Sequence, residues 1–267
     1  MPVLQLISPD GRSRAELSTF GARVLRWSNA GRERLFVPAA LIDDERAAPH
    51  GGVPVLHPQF GFFGPGRKHG LVRDRTWQIE RHGPDEAVLR LELAEAEAEA
   101  GSTYAVKLHV VLSDNALDIQ FKVTNAGANP AEFTCGLHTY LRVDDIANTT
   151  LLGLAQTPYL DALDEMALKP EAGVNLRAPI NVDRVYVQAP RCLEVNGGTS
   201  SLAIKQSGFA DTVVWNPGEE VAAGFADLAG DEWRHFLCVE AAQIKPAVQL
   251  AAGASWQGSQ RLEVLTT

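Results

Sequence analysis

Residues 133–143 (FTCGLHTYLRV) alternate so that Phe133, Cys135, Leu137, Leu141 and Val143 share one strand face, while Thr134, Gly136, His138, Tyr140 and Arg142 share the other. The apolar row must face a core. The second row combines an imidazole, an aromatic ring and a glycine, and glycine inside a strand marks close approach by a ligand or another backbone. With an ordinary pKa of about 6.5, His138 can give and take a proton near neutrality and is a candidate general acid. An exposed histidine on a solvated face is the competing reading of this segment alone. In residues 236–244 (FLCVEAAQI), Glu240 shares its strand face with Cys238 and Ala242. A carboxylate in so apolar a run must be paired, neutralised or turned toward a polar cavity. Partial burial would raise its pKa toward a useful base. A structural salt bridge to Arg234 or Lys245 would account for it equally well.

Two further segments carry candidate ligands. Residues 50–75 hold too much Gly and Pro for regular structure and too many aromatics for a plain solvated loop. Their basic cluster of Arg67, Lys68, His69, Arg73 and Arg75 suits the phosphate or carboxylate of a small substrate. His57 and His69 show no HxH or HxxxH spacing, so no metal is expected. In residues 211–217 (DTVVWNP), Asp211 could accept hydroxyls and Trp215 could stack on a sugar ring, although both types are normal at a strand entry and in a core.

These residues must be positioned by short strands. Residues 76–81 and 86–93 read as a hairpin, and so do 104–112 and 117–124 about the turn SDNA. In the last, Leu117, Ile119, Phe121 and Val123 alternate with Asp118, Gln120, Lys122 and Thr124. Further strands are expected at 133–143, 185–188, 191–195, 201–206, 212–215, 236–242 and 260–265, with NGG a strong turn signal. Helical periodicity is nearly absent, and 23 Gly and 15 Pro punctuate the chain. The expectation is an all-β fold, one large antiparallel β-sandwich domain over residues 1–267. The segment 93–101 (LAEAEAEAG) could be a short helix or a solvated loop.

The 267 residues carry a net charge of −9, which disfavours nucleic acid as a partner. No apolar run approaches the roughly 20 residues that cross a bilayer, and the first residues do not read as a signal peptide. No membrane partner is expected, and a cytoplasmic location is the default. The three cysteines, Cys135, Cys192 and Cys238, form no CxxC pair and read as small buried hydrophobes.

The motifs GGVPV-x-x-P-x-FG, HGLVR, LHTYL, VDRVY, DTVVWNP and CVEAAQ occur in that order between about Gly51 and Gln243. With them the chain resembles the D-hexose-6-phosphate mutarotases (glucose-6-phosphate 1-epimerases) of the aldose 1-epimerase superfamily. The resemblance implies a galactose mutarotase-like supersandwich that interconverts anomers by ring opening, with His138 as acid and Glu240 as base. It implies substrate contacts from Lys68, Arg73 and Asp183. His50 stands where the family pattern has Arg, and it joins His69 and Asp211 as a candidate substrate ligand. The implied partner is a small sugar or sugar phosphate, and no cofactor is needed, in keeping with the lack of P-loop, GxGxxG and GxSxG motifs. The loss of a forked cation at His50 keeps a mutarotase of unphosphorylated aldoses open. A non-catalytic carbohydrate-binding module and a metal-dependent sugar enzyme are more distant alternatives. The oligomeric state is left open, with a monomer as default.

Overall fold

The computed structural model describes residues 2–44, 46, 48–94, 103–170, 175–177, 181–199 and 201–265. The acidic run of 93–101 falls outside them after Ala94. Alternation builds the frame. In strand Ala116–Asn125, Leu117, Ile119, Phe121 and Val123 are buried while Asp118, Gln120, Lys122 and Thr124 are not. It pairs with Tyr104–Leu112 and with Ser255–Val264. These belong to a nine-stranded sheet running from Asn175–Arg177 at one edge to Gln78–His82 at the other.

An eight-stranded sheet carries the strands with chemical interest, and its pairings are antiparallel. Its order is Ala167–Lys169, Tyr159–Asp161, Val182–Tyr186, Asp211–Asn216, Phe236–Leu250, Ala131–Leu137 and Val55–Leu56, with Tyr140–Arg142 also beside Phe236–Leu250. The first nine residues of Phe236–Leu250 are buried. That explains why FLCVEAAQI reads as one apolar run broken by a single carboxylate. Side chains of both large sheets join one core. Trp256, from the nine-stranded sheet, meets Phe133 of the other at a ring separation of 6.1 Å. Burying such rings contributes about 1.5–3 kcal/mol each.

The structure departs from the sequence expectation in several places. A four-stranded sheet, Val3–Ile7, Ser13–Ser18, Val24–Asn29 and Arg32–Glu33, opens the chain. Its signal is the alternation of Leu4 and Leu6, then Ala15 and Leu17, all buried. The expected strand at 133–143 is divided into Ala131–Leu137 and Tyr140–Arg142. Between them the His138 N–H turns to the Pro54 carbonyl at 2.9 Å, and the Thr139 hydroxyl donates to Gln260 Oε1 of the opposite sheet at 2.5 Å. Gly136 makes room for a side chain rather than a ligand, because a Cβ there would lie 2.7 Å from the Phe60 ring. Cys135 and Cys238 are buried as expected, but Cys192 is exposed at the start of a strand. Among the described residues no helix is long and apolar enough to cross a membrane.

Candidate active site

Strand register assembles the site. The register runs from Leu137↔Ala241 to Tyr140↔Cys238 without a slip, so His138 lies opposite Glu240. On the other side Glu240 faces Val213, while Cys238 faces Trp215, which faces Asp183 in turn. Facing residues in a sheet share one side of it. Asp183, Trp215, Cys238 and Tyr140 therefore form one row across four strands, and Glu240 and His138 belong to the next row on the same face.

His138 Nδ1 lies 3.4 Å from Glu240 Oε2. The residues are 8% and 2% exposed, and no hydrogen bond from a described group reaches either atom. Tyr140 stacks on the imidazole, with ring centroids 4.7 Å apart and planes 7° from parallel, and its hydroxyl lies 3.5 Å from Nε2. Trp215 meets the same imidazole edge-on at 5.8 Å. Burial pushes His138 well below the ordinary imidazole range, and the neighbouring His69, Arg73, His50 and Arg23 push the same way. This differs from the near-neutral value expected from sequence, because the ring is far more buried than a strand-edge histidine. Burial pushes Glu240 well above the carboxylate range, and Asp183 adds to the rise. Both groups are thus driven toward their uncharged forms. At 3.4 Å they titrate as a pair, with one proton to share between them.

His50 is held rigidly at the edge. Its ring Nδ1 meets both carboxylate oxygens of Asp227, at 2.8 and 3.0 Å, and its backbone N–H donates to Asp227 Oδ2 at 3.0 Å. The ring stacks on Trp215 at 5.9 Å and packs on Phe225 at 4.4 Å. Burial alone would raise the pKa of Asp227, but the ring and backbone N–H of His50 outweigh it and hold the carboxylate below its usual range. Arg23 fixes the same loop from below. Its guanidinium donates to the carbonyls of Ala48 at 2.7 Å, Gly51 at 2.5 and 2.9 Å, and His50. Gly52 completes the turn at φ +63°, where a Cβ would fall 2.2 Å from the Val24 carbonyl. Arg23 and Asp227 carry no signal in the sequence, since their partners are backbone carbonyls and a residue remote in the chain.

The basic segment is divided by its partners. Arg67 is tied to Asp74 at 2.6 Å. His69 Nδ1 accepts the Gly61 N–H at 3.3 Å, which places the ring proton on Nε2, and its ring lies 5.5 Å from that of His138. Burial, with Arg73, Lys68 and His50 nearby, brings His69 down to about 3. Lys68 is exposed, with Nζ 5.0 Å from the Phe62 ring. Asp183 is raised to about 6 by burial, against the pull of Lys68. Arg73 is partly buried and its nearest carboxylate, Asp74, is 4.0 Å away. So His138, Glu240, His50 and His69 come together around Tyr140 and Trp215, and Arg73, Lys68 and Asp183 lie within electrostatic reach of that group.

Asp211 does not join them. It is 0% exposed. Its Oδ1 accepts the Gln188 N–H at 3.0 Å, and its Oδ2 accepts those of Ile244 and Lys245 at 2.8 and 2.7 Å. The sequence expectation of a sugar ligand is corrected: this carboxylate clamps two strand ends. His57 is also outside the site. It is 0% exposed and enclosed by Tyr104, Phe121 and Phe133, and neither ring nitrogen has a hydrogen-bond partner among the described residues.

A long antiparallel sandwich with an apposed imidazole and carboxylate on one sheet face is equipped for proton transfer on a small ligand. The family model for aldose 1-epimerase matches residues 3–263, and the chain belongs to that family. It is accordingly an isomerase that interconverts anomers. A protein of Cenchrus ciliaris that bears the name of a glucose-6-phosphate 1-epimerase is 31% identical over 91% of this chain and 79% of its own length. A protein of the same name from Escherichia coli K12 is 26% identical over 86% and 79%. Among solved structures, a mutarotase of Salmonella typhimurium superposes with a TM-score of 0.87 at 21% identity, covering 98% of this chain and 90% of that one. That likeness confirms the supersandwich fold.

Proposed function

We propose that the chain interconverts the α and β anomers of an aldohexose 6-phosphate, with Glu240 and His138 carrying the two protons and the whole chain working as one catalytic domain. The observation that carries the reading is the apposition of His138 Nδ1 and Glu240 Oε2 at 3.4 Å on a buried floor. The hydroxyl and ring oxygens of a hemiacetal are bonded to one carbon, so an acid and a base that serve both must also be close neighbours. Glu240 takes the proton from the anomeric hydroxyl as His138 delivers one to the ring oxygen, and the bond between C1 and that oxygen breaks. The aldehyde rotates about its bond to C2, and closure with the roles reversed yields the other anomer. One proton leaves the pair and one arrives, so the pair begins and ends each passage with the same proton count. Ring opening thus begins with the pair's proton on His138, leaves one on Glu240 in the open-chain aldehyde, and closure restores the starting state.

The phosphate reading rests on the convergence of Lys68, Arg73 and the His50 and His69 rings in a chain of net charge −9, and on the names of the relatives. Phosphate would serve as a remote handle that orients the sugar for both proton transfers. Asp183 would accept a sugar hydroxyl. One observation favours an unphosphorylated aldose instead: His50 Nδ1 is already taken by the Asp227 carboxylate at 2.8 Å. Saturation-transfer NMR on equal concentrations of glucose and glucose 6-phosphate separates the two. Faster catalysed exchange of the phosphorylated sugar is expected. Exchange of glucose alone would assign the site to free aldoses.

A further inference from the structure

We propose that the floor of this site also binds a zinc-type divalent cation through His138, Cys238 and Glu240, and that the cation and the sugar exclude one another. Each residue offers one ligand atom, and the three atoms lie within 4.8 Å of one another. All three residues are buried. Cys238 is carried into place by the strand that carries Glu240, two residues before it, on the same sheet face. His138 Nδ1 and Glu240 Oε2 accept no hydrogen bond from any described group, so nothing but the proton they share competes for their lone pairs. No ligand spacing in the sequence points to this set, because the histidine comes from a segment that meets the strand of the other two only in the fold.

The donor chemistry selects the cation. One imidazole nitrogen, one sulfur and one carboxylate oxygen make a three-ligand set with a fourth tetrahedral position open to water. Magnesium and calcium prefer oxygen donors, whereas sulfur and imidazole favour zinc, cobalt and cadmium. Zinc bonds of about 2.0–2.3 Å require the three atoms to draw in slightly from their present separations. On binding, the S–H bond of Cys238 is broken and a sulfur–metal bond formed. The thiol proton passes to solvent together with the proton shared by the pair, and no electrons change hands. The cation then occupies the two atoms that move protons in the proposed reaction. Competition with the sugar rests on that reading; metal binding itself does not.

Two readouts keep these apart. Co²⁺ added to the sugar-free protein is expected to produce a thiolate-to-metal charge-transfer absorption that Zn²⁺ displaces. Cys238→Ala and Cys238→Ser should both lose that absorption while retaining anomer exchange. In the wild type Zn²⁺ should slow exchange competitively with the sugar, with recovery on adding a chelator. Loss of the sulfur should weaken this inhibition by at least about 10–100-fold, the range that removing even an outer hydrogen-bond partner of a ligand costs. Absence of the charge-transfer absorption in the wild type overturns the site. Zn²⁺ inhibition of equal strength in the cysteine variants overturns it as well. A protein that shows the absorption but never exchanges anomers would retain the metal site and refute the catalytic reading.

Discussion

His57, enclosed by the rings of Tyr104, Phe121 and Phe133, stands 4.7 Å from Tyr104 ring to ring with neither of its nitrogens hydrogen-bonded among the described residues. It is a polar side chain held in an aromatic cage within the core. Burial pushes it down to about 3.

Like the buried rings of His69 and His138, His57 therefore ties stability to pH, and its own share can be separated. Above about pH 6.5 the ring is neutral in both folded and unfolded chains and proton linkage contributes nothing. As pH falls from 6.5 toward 3, the unfolded chain takes up a proton that the folded chain refuses, and stability is lost. At pH 4.5 the loss is about 2–3 kcal/mol. Replacing His57 by Phe should remove it. Urea midpoints of the wild type and His57→Phe, compared at pH 7 and pH 4.5, should show the variant gaining relative stability at the lower pH. An equal difference at both values would mean that His57 is protonated in the fold.

Asp211 should matter for stability and not for substrate. In Asp211→Asn one side-chain oxygen must serve where two now accept three backbone N–H groups. At least one donor is left unsatisfied, at a cost of about 1–3 kcal/mol. A lower thermal midpoint with an unchanged KM is expected. A raised KM with an unchanged midpoint would return Asp211 to the substrate site.

Arg73 tests the phosphate handle. Its nearest carboxylate is 4.0 Å away, so its guanidinium is poorly neutralised within the protein. Losing a charged hydrogen bond worth about 1.5–3 kcal/mol should raise KM for glucose 6-phosphate by about 10–100-fold in Arg73→Met, with little effect on glucose. Equal effects on both sugars would deny Arg73 a phosphate contact.

The residues that sequence made legible are those whose chemical type opposes their surroundings. Glu240 in an apolar run and His138 beside Gly136 and Tyr140 are conspicuous because nothing in a plain sandwich calls for them. Lys68 and Arg73 stand out as basic residues in an acidic chain. Asp211 misled for a physical reason: a carboxylate that accepts backbone N–H groups and one that accepts sugar hydroxyls occupy the same kind of strand entry. Asp227 and Arg23 were illegible because they act through His50 and the carbonyls around it, contacts that exist only once the chain is folded. The alternation in 104–124 revealed its hairpin well, since each turn of the pattern is repeated over many residues. Three-residue strands such as Thr150–Leu152 and Tyr159–Asp161 are too short to show a period.

Anomer exchange of glucose 6-phosphate, followed by saturation-transfer NMR in the wild type, Glu240→Gln and His138→Ala, bears most directly on the role of the facing pair. General acid–base groups contribute about 10²–10⁴-fold. Each variant is therefore expected to lose exchange by at least the lower figure while its circular dichroism remains that of the wild type. A folded variant of either kind that exchanges anomers at the wild-type rate would contradict the account.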